Sequence, residues 1–177
     1  MKKNNLLILG AGGHGRVVAE AAELQGIWDN IAFLDDRDDL DEVLNFNVIG
    51  KIADYKKLRN EFNYVIVAVG NNEIRLGLID KLKEENYKLA VIIHPKAIIS
   101  KYATINEGTV ILAGAVVNTC TSIGNGCIIN ISAIIDHDCK LGNGVHVSSG
   151  AIVRSMCTIS DLTYIDAGSL VKEGFCI

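Results

Sequence analysis

At 177 residues, with 49% hydrophobic and 21% charged side chains, the chain is long enough for one large domain or two compact ones. Its net charge of −4 gives no electrostatic reason to bind nucleic acid or an anionic membrane surface. No apolar run approaches the ~18 residues that span a bilayer, and the run after Met1-Lys2-Lys3 is too short for a secretory leader, so a cytoplasmic protein without membrane insertion is expected.

Asn5–Leu9 reads as an apolar strand that runs straight into Gly10-Ala11-Gly12-Gly13-His14-Gly15. Val17, Val18, Ala21, Ala22 and Leu24 then give Arg16–Leu24 the apolar stripe of a helix lying on a sheet. Ile31–Leu34 is a second strand, ending in Asp35-Asp36, and Asp54–Glu61 fits a short helix. Tyr64–Val69 is a third, fully apolar strand, followed by Gly70-Asn71-Asn72 and a helix over Glu73–Glu85. Strand, glycine loop, helix and strand with short connections predict a small parallel α/β unit of Rossmann-like type.

The Gly10-x-Gly12-x-x-Gly15 spacing, with an acid about twenty residues on, matches a dinucleotide fingerprint: glycines let phosphate oxygens approach backbone, and the helix N-terminus supplies N–H donors. A tight βα turn would use the same glycines for packing alone. His14 stands inside this loop, where a side chain can touch a ligand. Asp35 and Asp36 fall at the end of the second strand, beside the crevice where open α/β sheets bind ligands. They also begin an acidic run through Asp38, Asp39, Asp41 and Glu42 that reads equally as a solvated turn.

From Ile93 onward every sixth residue is a branched aliphatic, through Ile99, Ile111, Val117, Ile135, Val153 and Val171 to Ile177, with no break in fifteen positions. Two residues before each, the side chain is usually small, as at Ala97, Thr109, Cys127, Ala133 and Cys157. A period of six fits neither a helix nor an alternating strand, and it predicts a left-handed parallel β-helix of hexapeptide repeats, aliphatics inward and small residues at the bends. The domain division expected is 1–92 for the α/β unit and 93–177 for the prism. Of five cysteines, three occupy the small position, none forms C-x-x-C, and an odd number argues against a disulfide framework.

One stretch of the prism departs from plain turn chemistry: Ile135-Asp136-His137-Asp138-Cys139. His137 lies two residues beyond a core aliphatic, at a corner, and must project outward. Flanking carboxylates would orient its ring and stabilise its charged form, as a general base needs; an exposed turn histidine is the plainer alternative. His146 comes nine residues later, half an 18-residue coil, hence on the opposite side of the prism. One compact site using both would draw His146 from a neighbouring chain. His94, before the single proline at the junction, reads as structural.

Taken together, the GAGGHG loop (Gly10–Gly15), Phe33-Leu34-Asp35-Asp36, Val69-Gly70-Asn71-Asn72-Glu73-Ile74-Arg75, Ile135-Asp136-His137-Asp138 and His146-Val147-Ser148 resemble the bacterial sugar acetyltransferases of the sialic-acid O-acetyltransferase and nucleotide-sugar N-acetyltransferase type. The resemblance covers the chain to about Ile152. It implies that Gly12, Gly13, His14, Asp35, Asp36 and Gly70 contact a nucleotide-activated sugar, that His137 is the general base and that Asp138 tunes it. It further implies His146 as a contact to acetyl-CoA bound between adjacent prisms of a homotrimer. No metal ligand set is visible. The segment Ala151–Ile177 is shorter than that type usually carries, which predicts a prism trimmed by whole coils. Two rival readings remain: a non-catalytic nucleotide-sugar-binding or scaffold relative, and an NAD-dependent enzyme using the prism to oligomerise.

Overall fold

The computed structural model describes residues 4–177, so the Met1-Lys2-Lys3 start lies outside the described residues. Strands β1 (Asn5–Leu9), β2 (Asn30–Leu34), β5 (Tyr64–Val67) and β6 (Lys88–Leu89) form a parallel sheet in the order β2-β1-β5-β6. Helix α1 (Gly13–Gln25) starts inside the glycine loop, three residues earlier than the sequence suggests, because Gly13 and His14 already take its first turn. Val18, Ala19 and Ala22 of α1 pack on Leu6 and Ile8 on one side of the sheet. On the other side, α3 (Asn72–Glu84) buries Ile79 and Leu82 against Leu7, Val65 and Val67. The helix expected over Asp54–Glu61 is a 3-10 turn at Ile52–Asp54 followed by the one-turn α2 (Tyr55–Leu58).

The acidic run after Asp36 also holds a two-residue hairpin, β3 (Glu42–Val43) and β4 (Phe46–Asn47). Its turn residues Leu44 and Asn45 both lie at positive φ (52° and 66°), as a tight hairpin turn requires. Val43 is buried, and the Phe46 ring stands edge-on to Phe33 at 6.4 Å.

From Ile92 to Val171 the chain makes fourteen two-residue strands that stack into three parallel sheets, each rung 18 residues beyond the last, as Val110 on Ile128 and Val116 on Ile134. This is the expected left-handed β-helix. The hexad aliphatics from Ile111 to Ile165 are buried inside it; Ile93, Ile99 and Ile105 are partly covered, and Ile177 is exposed. From Thr109 to Cys157 the small residues before them are buried too, and the polar ones carry a second function. Thr109 Oγ1 donates to the Gly124 carbonyl at 2.9 Å and accepts from Cys127 N at 3.1 Å. The thiols of Cys127, Cys139 and Cys157 reach carbonyls fifteen residues on at 3.0–3.1 Å. A corner thiol is therefore both a compact filler and a weak donor.

The three outer faces differ. On the first, Ile92, Val110 and Ile128 are buried, and Ile92 and Val110 share a core with α1. The expected junction at 92–93 thus falls within one strand, with Ile92 turned to the α/β unit and Ile93 to the prism. The second face presents the aliphatic column Ile98, Val116, Ile134, Ile152 and Leu170, which the chain leaves uncovered except in part at Val116. The third presents Thr104, Ser122, Lys140 and Thr158. Among the described residues no helix is long and apolar enough to cross a membrane.

Candidate functional site

Between β1 and β5 the sheet order reverses, and the loops after these strands open a crevice at their carboxyl ends. Gly15 is required by the chain, since a Cβ there would sit 2.1 Å from the Gly10 carbonyl oxygen. Gly12, Gly13 and Gly70 are different: a Cβ on any of them would meet nothing within 4 Å. The space above them is open, as a ligand lying along the backbone needs. No side chain caps Gly12 and no acid stands in the first turn of α1, so the helix's leading N–H groups and its positive dipole end face the crevice. By contrast α3 is capped by Asn71, whose Oδ1 accepts from Ile74 N at 2.9 Å.

The two aspartates are occupied within the chain. Asp35 accepts from Ala11 N at 2.7 Å and from Arg37 Nε at 2.7 Å and Nη2 at 3.1 Å. The Arg37 guanidinium lowers its pKa to about 2. It therefore pins the glycine loop to the end of β2. Asp36 Oδ1 accepts from Ile52 N at 3.0 Å, and its carbonyl accepts from Lys51 Nζ at 3.0 Å.

His14 turns from the first turn of α1 toward the prism, where His146 and Arg75 lie close enough to disfavour its charged form. Burial is the larger cause, and together they bring its pKa down to about 4. His146, on the first face of the prism, is 9% exposed and also lowered to about 4, by burial first and then by Arg75. Its ring stands edge-on to Tyr164 at 4.9 Å. Asn130 Nδ2 lies 3.3 Å from Nε2, which places the ring proton on Nδ1. His14 Nε2 and His146 Nδ1 are both buried without a hydrogen-bond partner. Beside them Gly70, Asn71, Asn72, Glu73, Leu162 and Tyr164 line a cleft of about 440 Å³.

His137 stands apart, at the corner between the second and third faces. Its side chain is 43% exposed, and Nδ1 lies 2.8 Å from Asp138 Oδ2. A carboxylate only accepts, so Nδ1 carries the proton and Nε2 keeps the lone pair. The Asp138 hydrogen bond raises the His137 pKa above the ordinary histidine value. Asp136 does not touch the ring: its Oδ1 accepts from His137 N at 2.8 Å and Asn118 Nδ2 at 3.0 Å, which fixes the corner. Asp138 occupies the left-handed region at φ 58°, where seven of the twelve corners from Gly108 to Gly174 use glycine. A side chain there costs about 1–2 kcal/mol, least for Asp and Asn, and such strain concentrates at functional positions. His94 has the structural place expected of it, its Nδ1 accepting from Lys96 N at 3.0 Å.

Arg75 is the residue that the sequence reading did not single out. It has no exposed surface, and it joins the Gly70 loop to the prism (below).

A parallel α/β unit with an open helix N-terminus, set on a hexapeptide-repeat prism with a corner His–Asp pair, is the architecture that comparison with known proteins returns. The family model described as the PglD N-terminal domain matches residues 5–82. The UDP-N-acetylbacillosamine N-acetyltransferase of Bacillus subtilis (strain 168) is 37% identical over 111 residues, 62% of this chain and 51% of that protein, so the matched stretch spans about half of this relative. The acetyltransferase domain of PglB from Neisseria gonorrhoeae FA1090, solved in complex with acetyl coenzyme A, superposes with a TM-score of 0.95 at 38% identity, over 99% of this chain and 85% of that one. A variant of perosamine N-acetyltransferase from Caulobacter crescentus, solved with CoA and GDP-perosamine, superposes at 0.83 with 30% identity, over 97% and 90%. The chain belongs to the hexapeptide-repeat sugar acetyltransferase family.

Proposed function

We propose that the chain transfers an acetyl group from acetyl-CoA to an amino or hydroxyl group of a nucleotide-activated sugar, with His137 as general base. The observation that carries this is the His137–Asp138 pair: an outward imidazole, its proton held on Nδ1 at 2.8 Å from a carboxylate and its Nε2 free to accept. Relatives solved with acetyl-CoA, or with CoA and a nucleotide sugar, support the two substrates.

In this reading the open N-terminus of α1 takes the pyrophosphate over Gly12 and Gly13, with Gly70 forming the opposite wall and His14 between them. Asp35 holds the loop in shape, and Asp36 borders it. The acceptor nitrogen or oxygen attacks the thioester carbonyl while His137 Nε2 takes its proton; the tetrahedral intermediate collapses, the C–S bond breaks, and the coenzyme A thiolate leaves, protonated by the imidazolium or by solvent. Asp138 stabilises that imidazolium.

The aliphatic column of the second face supports a homotrimer. Five stacked side chains, most of them exposed in one chain, form the kind of surface that packs between copies. The column borders the His137 corner, so in a homotrimer packed through it the base would lie beside a neighbouring chain, with His146, on the first face, as the proposed prism contact to the coenzyme. Calorimetric titration with acetyl-CoA, and separately with UDP- and GDP-linked amino sugars, tests the reading. Binding of the coenzyme and of one nucleotide sugar is expected. Nucleotide-sugar binding without coenzyme binding would make the chain a scaffold, and a response to NAD alone would overturn the substrate class.

A further inference from the structure

Arg75 has no accessible surface and, among the described residues, no salt bridge, yet every donor of its guanidinium is used. Nε donates to the Gly126 carbonyl at 2.7 Å. Nη1 donates to the carbonyls of Val69 at 2.9 Å and Gly70 at 3.1 Å. Nη2 donates to Asn72 Oδ1 at 2.7 Å and the Gly144 carbonyl at 2.8 Å. Burying an unpaired charge is unfavourable, and a packed apolar side chain would hold two elements together as well. What an apolar side chain cannot do is fix five oxygens from three segments in one plane.

Those segments are the stretch 69–72, which runs from the loop after β5 into the first turn of α3, and the same prism corner on two successive coils, at Gly126 and Gly144. Gly144 lies two residues before His146 in the chain. The corner fits the contact closely: Gly126 lies at φ 63°, and a Cβ on it would fall 2.5 Å from Ile79 Cδ1, so a side chain there would displace Ile79 of α3. Asn72 adds a second tie, Nδ2 donating to the Leu162 carbonyl at 2.8 Å. With all five donors engaged, Arg75 has none left for a substrate. We infer that Arg75 is a positioning residue, which sets the Gly70 wall of the nucleotide-sugar crevice at a fixed distance from the prism strand that carries His146. The inference rests on the reading of Gly70 as a nucleotide-sugar contact.

The experiment compares wild type with Arg75→Lys, which keeps a charge and loses the fork, and with Arg75→Met. Amide hydrogen exchange on the full chain reads the positioning without any ligand. Residues 69–72 should exchange at least tenfold faster in both variants, with the prism strands unchanged. Steady-state kinetics with acetyl-CoA and the UDP- or GDP-linked amino sugar that wild type uses best should show KM for the nucleotide sugar raised about tenfold and KM for acetyl-CoA within twofold. An unchanged loop, or equal rises in both KM values, would overturn the inference. If wild type turns over no nucleotide sugar, the functional reading fails, and exchange alone decides the positional claim. Should both variants fail to fold, Asn72→Ala, which removes one of the five acceptors, carries the same two measurements.

Discussion

At the scale of single residues, the histidines divide by environment. His137 is exposed and paired with a carboxylate, so its pKa rises; His14 and His146 are enclosed beside a buried arginine, so theirs fall to about 4. In the proposed mechanism the neutral His137 ring is the base, so kcat/KM should climb with pH through a midpoint above the ordinary ~6.5. Asp138→Asn should move that midpoint down and lower the plateau. The limb is assigned with a hydroxyl acceptor, or with an amine whose own pKa has been measured separately; an unmoved midpoint would remove Asp138 from the mechanism. For the buried pair the consequence is stability. A folded pKa near 4 against about 6.5 unfolded means that the unfolded chain binds more protons between those values, so stability is complete above pH ~6.5 and declines as pH falls through the window. The loss approaches roughly 3 kcal/mol per histidine at most. Titration of the two imidazoles by NMR checks this, and ordinary midpoints for both would contradict it.

His137 could be found in the sequence because a charged triplet interrupts otherwise plain corners. Arg75 could not be found by composition, since an arginine on an amphipathic helix ordinarily faces water. The available signal was its phase: Arg75, Ile79 and Leu82 fall on one stripe, and all three are buried. Asp35 was legible as a residue of the crevice but not as one whose oxygens are already engaged, because pairing with Arg37 two residues on depends on how the chain turns after β2.

At the scale of elements, the aliphatic period placed every inward position of the prism, but a second period was present and unread. One residue per hexad, from Gly108 to Gly174, adopts positive φ, and its glycines at 108, 114, 126, 144, 150, 168 and 174 were there to be counted. Cys120, Ser132, Asp138, Met156 and Leu162 take the same conformation with a side chain. Met156 is half exposed and at φ 60°, so Met156→Gly should relieve about 1–2 kcal/mol of strain against about 0.4–1 kcal/mol of added unfolded-chain entropy. A rise of about 2 °C in Tm follows for a chain of this size. A fall in Tm would mean that Met156 contributes packing that outweighs its backbone strain. The β3–β4 hairpin escaped the sequence reading for a different reason: two-residue strands carry no periodicity, and the acidic run around them reads as solvent-facing.

At the scale of the whole molecule, the three prism faces have separate tasks. One is largely covered by the α/β unit, with Tyr164 exposed at its end, one is polar, and one is an aliphatic column. If the aliphatic column is the contact of the proposed trimer, Ile152→Lys should give monomers in sedimentation and lower activity more than tenfold while leaving the prism folded, because the side chain points outward. A trimer that survives would assign the contact to another face. The central claim is that His137 deprotonates the sugar acceptor during acetyl transfer. Its most direct test is the release of coenzyme A thiol from acetyl-CoA with a nucleotide-linked amino sugar, measured for wild type and His137→Ala, with acetylated sugar quantified by mass. Thiol and acetylated sugar should appear in equal amounts with wild type and about 10²–10⁴-fold more slowly with the alanine variant, both proteins having the same oligomeric state and Tm. Turnover by His137→Ala at the wild-type rate would contradict the account and leave His137 an exposed corner residue.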